Sequence, residues 1–383
     1  MKKIAVSILS AIMFAALTVP VAAAAETSDT ADDCRSWYTA DFFSGTVIDA
    51  KNETEHLPIA SVCKVMTMLL CFEEADAGRL SFDEKITASE TASGMGGSQV
   101  FLEAGAVYTA DDLIKSICIA SANDACVAMA ERIGGSEGGF VQKMNARAKD
   151  LNMNDTVFVN CTGLPEAGQY SCAKDVAKMF SALLGHDAYF RYSKIWMDKI
   201  SHPKGRETEM ANTNKLLKSY NGCDAGKTGF TNDAGFCLAA SAERGNMRIV
   251  SVVLGAKSSQ DRFDRVKKSF DNAFANYSNR VIFDAATPLD ERCPVVGGKK
   301  SDAAVKPERS SYVFSAKNDS DEIFYEVEFD IVKAPLREGD KVGTAIVYKN
   351  NVEADRVVLV SNENVKKISY FDSIRKAAEN WII

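Results

Sequence analysis

Hydrophobic residues recur at helical spacing through the middle of this chain and at strand spacing on either side, and that change of period restricts the fold more than any other feature. In residues 61–77 an apolar face is supplied by Val62, Val65, Met66, Leu69, Leu70 and Phe72, with Gly78 placed to stop the helix. The same period returns over 111–119, 123–133, 139–151 and 172–184. Residues 36–49 alternate instead, with Ser44-Gly45 as a turn. Residues 235–242 and 247–254 are strand-like runs joined by Glu243-Arg244-Gly245-Asn246, followed by a closing helix over 262–275. Helices enclosed by early and late strands predict an α+β (α/β) enzyme core.

Length and punctuation divide the rest. Residues 1–25 combine Lys2 and Lys3 with an apolar run ending in an Ala cluster, which reads as an export leader, so that the mature chain starts near Glu26. The enzyme core then occupies 26–284. Residues 285–308, with Pro288, Pro294, Gly297, Gly298 and a run of Lys, have the composition of a linker. Period-two alternation over 311–316, 323–332, 341–348 and 355–361 predicts a small all-β domain spanning 309–364, a sandwich or a meander. Residues 365–383 place Ile368, Phe371, Ile374, Ala378, Trp381 and Ile382 on one helical face beside Lys366, Lys367, Arg375 and Lys376. Two readings of that amphipathic helix are open: a monotopic membrane anchor, or a helix packed on the protein's own core.

A net charge of −7 offers no concentrated basic face for nucleic acid, which is therefore excluded as a partner. The ten cysteines include no Cys-x-x-Cys, and Cys63, Cys71, Cys118, Cys126 and Cys237 sit inside apolar patterns, so mostly free thiols are expected. Only His56, His186 and His202 exist, without a Gly-x-Ser-x-Gly elbow or a His-Glu-x-x-His pair. A Ser-His-Asp hydrolase and a zinc peptidase both lose their required residues, and neither metal nor cofactor is expected.

Ser61-Val62-Cys63-Lys64 opens the first long helix, so Ser61 and Lys64 lie one turn apart on one face. A serine hydroxyl is a poor nucleophile at its ordinary pKa, and a desolvated lysine amine within reach can take its proton. Taken alone, the tetrapeptide is equally a helix cap followed by a surface lysine. Ser121-Ala122-Asn123, between two helices, is alone an N-cap; Lys227-Thr228-Gly229 is alone a strand ending in a glycine turn.

The ordered set is more specific than its parts. Ser-x-x-Lys, Ser-x-Asn and Lys-Thr-Gly, with Pro58-Ile59-Ala60, Gly94-Met95-Gly96-Gly97-Ser98-Gln99 and Asp224-Ala225-Gly226 around them, resemble the low-molecular-mass penicillin-binding proteins that are D-alanyl-D-alanine carboxypeptidases. The resemblance runs from about Ala40 to Ala275, and more loosely over the β-domain and tail helix. It implies a penicillin-binding-protein/β-lactamase-like transpeptidase domain with a central antiparallel sheet and a helical cluster. It further implies Ser61 as acylated nucleophile, Lys64 as its proton acceptor and Ser121 as proton relay to the leaving D-alanine. Asn123 would hold the substrate amide, and Lys227, Thr228 and Gly229, with Arg262, would bind the carboxylate end. The oxyanion donors would be the Ser61 N–H and one from the strand after Gly229. Phe230 departs from the family, which often carries histidine there, and bears on substrate preference.

The implied partners are peptidoglycan stem peptides ending in D-Ala-D-Ala, with β-lactam antibiotics as inhibitors, at an extracytoplasmic location on the outer face of the cytoplasmic membrane. A class A β-lactamase would need a glutamate in Glu-x-x-Leu-Asn, where this chain has Lys149-Asp150-Leu151-Asn152. Endopeptidase action on cross-links is the alternative within the enzyme class, and a catalytically silent wall-binding protein the alternative outside it.

Overall fold

Strand β1 (Ser36–Asp41) pairs antiparallel with β2 (Val47–Lys51) on one side and β9 (Met247–Ala256) on the other in the computed structural model, which describes residues 33–370 and 372. The expected leader and most of the expected C-terminal helix lie outside those residues. With β8 (Gly235–Arg244) and β7 (Cys223–Thr231) the sheet is antiparallel throughout, in the order β2-β1-β9-β8-β7, so β7 is an edge strand.

Both faces of this sheet are covered, and β9 shows how. Val250, Val252 and Leu254 point into one core while Ile249 and Val253 point into another, as a period of two requires. The second core is closed by α9 (Ser259–Asn276), whose Phe263, Val266, Phe270 and Ala273 cover Leu238, Ala240 and Ala242 of β8. The first is shared with a helical cluster built around α1 (Lys64–Asp76), which is buried on every side from Lys64 to Phe72 and so lies at its centre.

Around α1 stand α2 (Glu90–Ser93), α3 (Ala110–Ala120), α4 (Asn123–Gly134), α5 (Glu137–Asp150) and α6 (Ala173–Leu184), with α7 (Phe190–Ser193) and α8 (Leu216–Ser219) as single turns near β7. Thr109, Ser136 and Ser258 accept the N–H groups that start α3, α5 and α9, each in the manner of an N-cap. Two hairpins, β3 (Lys85–Thr87) with β4 (Val107–Thr109) and β5 (Met197–Ser201) with β6 (Glu207–Ala211), flank the cluster.

The second unit of sheet begins at β10 (Tyr277–Phe283), which pairs with β13 (Ser311–Ala316). Strands β11 (Arg292–Val296), β12 (Asp302–Pro307), β14 (Ile323–Phe329), β15 (Val332–Lys333), β16 (Lys341–Lys349) and β17 (Val352–Ser361) form a sheet in the order β14-β16-β17-β12-β11-β15. Its core holds Cys293, Val305, Val342, Val347, Val357 and Leu359.

Two boundaries differ from the sequence reading. The stretch 285–308 is not a linker, because β11 and β12 lie inside it. Pro294 is tolerated there because Val295 gives its N–H to Ser301 O, so the proline ring nitrogen faces the other edge, before β15 begins pairing at Val295. The tail helix does not start at Val365. That side chain is buried in the β-domain core and its backbone bridges Leu336, Ile368 N–H bonds Gly297 O, and the first helical residue is Tyr370, after Ser369 accepts from the Asp372 N–H. The apolar pattern there serves two environments in succession. No helix among the described residues is long and apolar enough to cross a membrane.

Candidate active site

The turn that presents Ser61 is strained by construction. Ala60 adopts φ +46°, a left-handed conformation that costs a non-glycine residue about 1–3 kcal/mol, and a single 3-10 turn over Ala60–Cys63 then feeds α1. Gly163 (φ +80°) presses on it: a Cβ at that position would meet Ala60 O at 1.9 Å. Ser61 thereby stands one turn before Lys64, whose Nζ lies 2.9 Å from Ser61 Oγ and donates to Thr162 O at 2.6 Å. Lys64 is fully buried, and among the described residues it has no ion pair. Burial therefore holds its pKa below the usual lysine value, which favours the neutral amine that accepts a proton.

A second lysine faces this pair. Lys227, 1% exposed on β7, donates to Ser121 Oγ at 2.7 Å and to Thr228 O at 2.9 Å. Burial, and then the charge of Lys64, push its pKa down to about 7. Ser121 ends α3 in a left-handed conformation (φ 61°, ψ 33°), a non-glycine outlier that turns its hydroxyl toward Lys227. Asn123 follows at the start of α4. Its Nδ2 donates to Gly96 O at 2.7 Å, and its Oδ1, although buried, has no hydrogen-bond partner among the described residues. An orphaned buried carbonyl is costly unless a ligand N–H completes it.

The edge of β7 supplies the remaining backbone groups. A Cβ on Gly229 would meet Ile59 O at 2.8 Å and Ser61 N at 3.0 Å, so only glycine lets this strand pass against the nucleophile's own turn. Thr228 O is turned toward Lys227 Nζ, and strand alternation puts the N–H and C=O of Phe230 on that same side. Thr228 Oγ1 donates to Thr213 Oγ1 at 2.7 Å. Phe230 is half exposed and stacks on Phe236, ring centroids 4.3 Å apart.

Arg262 is placed differently from the other expected carboxylate ligands. Its Nη1 donates to Gly229 O (3.0 Å) and Cys237 O (3.2 Å), and its Nη2 to Ser259 Oγ. It braces β7 from the α9 side, with its charge still felt at Lys227. The motifs thus bring Ser61, Lys64, Ser121, Asn123, Lys227, Thr228 and Gly229 to one cleft, with Arg262 behind the strand that carries three of them.

Two contributors carry no sequence signal, because they act through backbone carbonyls: Thr162 O on Lys64 and Gly96 O on Asn123. Asp124 could have been found beside Asn123. Fully buried, it accepts the N–H groups of Val100, Leu102 and Ala125, which ties the 96–102 loop to α4 and so fixes the carbonyl that holds Asn123.

Known proteins resemble this chain in sequence and in fold. The D-alanyl-D-alanine carboxypeptidase family, Peptidase S11, matches residues 22–258, and the penicillin-binding protein 5 C-terminal domain matches residues 277–367. The D-alanyl-D-alanine carboxypeptidase DacF of Bacillus subtilis is 36% identical over 356 residues, covering 93% of this chain and 92% of its own. DacC of Escherichia coli, of the same name, is 32% identical over 381 residues, 95% and 92%. The crystal structure of penicillin-binding protein 5 from Haemophilus influenzae superposes with a TM-score of 0.69 at 25% identity, covering 89% of this chain and all of that one. With a serine and a buried lysine in contact at the heart of the matched region, the chain belongs to the D-alanyl-D-alanine carboxypeptidase family of serine peptidases.

Proposed function

We propose that this protein is an exported serine carboxypeptidase that removes the terminal D-alanine from peptidoglycan stem peptides ending in D-Ala-D-Ala, through an acyl-enzyme on Ser61. The observation that carries the reading is the pair of buried contacts, Lys64 Nζ to Ser61 Oγ at 2.9 Å and Lys227 Nζ to Ser121 Oγ at 2.7 Å. The first couples a nucleophile to a base, and the second couples a proton donor to a cation.

Each step uses one of them. Lys64, as neutral amine, takes the proton of Ser61 while Oγ attacks the carbonyl of the penultimate D-alanine. The N–H groups of Ser61 and Phe230 receive the developing oxyanion. As the C–N bond breaks, Ser121 gives its proton to the departing amine and is reprotonated from the Lys64 and Lys227 side. Water then attacks the Ser61 ester, losing a proton to Lys64, and releases the shortened peptide with a new carboxylate. Lys227 and Thr228 hold the substrate's terminal carboxylate, Arg262 steadies their strand, and the orphaned Oδ1 of Asn123 accepts the acyl-side amide N–H.

β-Lactams would acylate the same serine. A long-lived adduct follows from the missing Glu-x-x-Leu-Asn glutamate, the nearest text in this chain being Lys149-Asp150-Leu151-Asn152. The test is release of D-alanine from a free pentapeptide, set against release of monomer from a cross-linked dimer, together with labelled-penicillin trapping. Release of monomer alone would transfer the assignment to an endopeptidase. A Ser61→Ala protein that still labels would remove the catalytic assignment.

The helix beginning at Tyr370 is read as the attachment to the outer face of the cytoplasmic membrane, on the strength of the apolar and basic residues that follow it. A chain stopped after Ser369 keeps Val365 in the β-domain core and should leave the membrane fraction. Its retention there would contradict the reading.

A further inference from the structure

Phe101 is the strained residue of the loop that lies on Asn123. Its φ is +62°, a left-handed conformation that a bulky side chain avoids, and the residue is left 56% exposed. A backbone kept there is kept by its surroundings. On one side Asp124 accepts the N–H groups of Val100 and Leu102. On the other, Arg206 Nη2 donates to Phe101 O at 2.7 Å, from the turn between β5 and β6, 105 residues along the chain.

What this loop carries is one wall of the cleft. Its Gly96 O accepts from Asn123 Nδ2 and its Ser98 O from the Asn123 N–H, each at 2.7 Å. Gly97 packs so closely that a Cβ there would meet Asn123 Nδ2 at 2.9 Å. A shift of the loop is therefore a shift of the Asn123 carboxamide.

Arg206 belongs to a closed ring of contacts. Its Nη2 and Nε also reach Glu103 Oε1 (3.1 and 3.2 Å), and its Nη1 reaches Thr208 Oγ1 (3.3 Å). Thr208 Oγ1 lies 2.9 Å from His202 Nε2, His202 Nδ1 lies 2.9 Å from Tyr108 OH, and that hydroxyl accepts the Glu103 N–H. The ring thus grips the loop at Phe101 and Glu103. His202 and Tyr108 are buried, but Arg206 is exposed at the hairpin tip, where an ion pair with Glu103 adds little to stability. What this arginine sets is the place of the loop.

The other end of the hairpin stands at the opposite wall. Just beyond β6, the Asn212 N–H bonds Trp196 O, and Thr213 Oγ1 accepts from Thr228 Oγ1 of β7 at 2.7 Å. One hairpin therefore touches both the β7 edge and the loop above Asn123, and fixes one relative to the other.

We infer that Arg206 is a positioning residue: from the tip of the β5–β6 hairpin it holds the 96–102 loop, and through that loop the Asn123 carboxamide, in register with the amide of the acyl chain. The inference rests on the Ser61 acyl-enzyme and the Asn123 contact proposed above, and adds the distant side chain that sets this contact.

The experiment measures second-order rate constants for acylation of Ser61, by intact mass, with two compounds that differ at one place. Benzylpenicillin carries an amide on its acyl side; its deacylated nucleus, aminopenicillanic acid, has a free amine there. Arg206→Ala should slow benzylpenicillin about fivefold or more, since a displacement of half an ångström costs up to about tenfold, and should leave the nucleus within about twofold of wild type. Arg206→Lys, which can still donate to Phe101 O, should recover part of the loss. In an Asn123→Ala background, Arg206→Ala should add no further loss, because both act on one contact. Equal slowing of both compounds, with or without a fall in Tm, overturns the inference while the acyl-enzyme stands. Benzylpenicillin slowed less than about twofold, or losses that multiply in the double variant, overturn it too. If neither compound acylates the wild-type protein, the Ser61 reading itself fails, and the inference with it.

Discussion

Replacing Gly229 with alanine should disable acylation far more than it disturbs the fold. The added Cβ would sit 2.8 Å from Ile59 O, 3.0 Å from Ser61 N and 3.1 Å from Ala60 Cβ, whereas ordinary contact begins at 3.4 Å. Two of the three neighbours are backbone atoms of a turn already held in a left-handed conformation at Ala60, so β7 and the nucleophile must separate by about half an ångström. A full ångström of misplacement costs roughly 100-fold in rate, and half of that displacement about tenfold; a fall of between tenfold and 100-fold is therefore expected. Overpacking of this kind costs about 1–3 kcal/mol of stability, or a few degrees in Tm. The assay is the second-order rate constant for labelling of Ser61 by a fluorescent penicillin, read by gel and by intact mass, with Tm measured in parallel. Labelling within twofold of wild type would refute the placement of the edge strand against the nucleophile. A collapse of Tm that accounts for all lost labelling would refute its specific effect on the site.

Other consequences follow from burial and charge. The kcat/KM for a D-Ala-D-Ala peptide should be bell-shaped in pH. It falls on the acid side as Lys64 takes up the proton it must be free to accept, and on the alkaline side as Lys227, with a pKa near 7, loses the charge that holds the substrate. Lys227→Arg should push the alkaline limb upward, and a flat profile between about pH 5 and 10 would contradict the assignment. Asp224→Ala should destabilise the protein by about 1–3 kcal/mol in urea unfolding, because it takes from buried Arg248 one of its two carboxylate partners, at 2.8 Å, leaving Glu243, and leaves Ser241 Oγ without its acceptor. Cys63, Cys118 and Cys126, pushed up to about 12 by burial, should resist a thiol reagent in the native protein and react only after denaturation, with all ten cysteines then titrating. Rapid native labelling of several thiols would show that the helical cluster opens.

What could be read in advance follows a physical division. Ser61 and Lys64 were legible because a helix period alone brings positions three apart onto one face, and they meet at 2.9 Å although the serine sits in a 3-10 turn. The meeting of Lys227 with Ser121 could not be read from any local period, since 106 residues separate them, and only the order of three short motifs pointed to it. The carbonyls of Thr162 and Gly96 were illegible for a different reason: every residue offers one, and which one reaches a side chain depends on the packing of distant loops. Arg262 was placed on the carboxylate by resemblance, while its hydrogen bonds go to Gly229 O and Cys237 O. In the β-domain, composition misled. Pro294 and two glycines suggested a linker, but a proline is permitted wherever its nitrogen faces an unpaired stretch of strand edge.

The two buried lysines explain why the motifs work as a set. Each is enclosed without a carboxylate partner among the described residues, and an ammonium so placed costs several kcal/mol unless a counter-charge arrives. Hydrogen bonds to Thr162 O, Thr228 O and two serine hydroxyls offset part of that cost, but two full charges this close oppose each other, which is the direction in which Lys64 acts on Lys227. The pair is therefore better described as sharing its protons than as two independent titrations. In the proposed mechanism, a substrate ending in a free carboxylate would supply the missing negative charge at Lys227 and Thr228, favouring the proton there. Charge at Lys227 in turn disfavours charge at Lys64, leaving the amine beside Ser61 neutral at the moment the carbonyl is in place. In the proposed mechanism the carboxylate that positions the peptide thus also keeps neutral the base that activates Ser61, so a cleft of this kind would discriminate for free C-termini through rate as well as affinity.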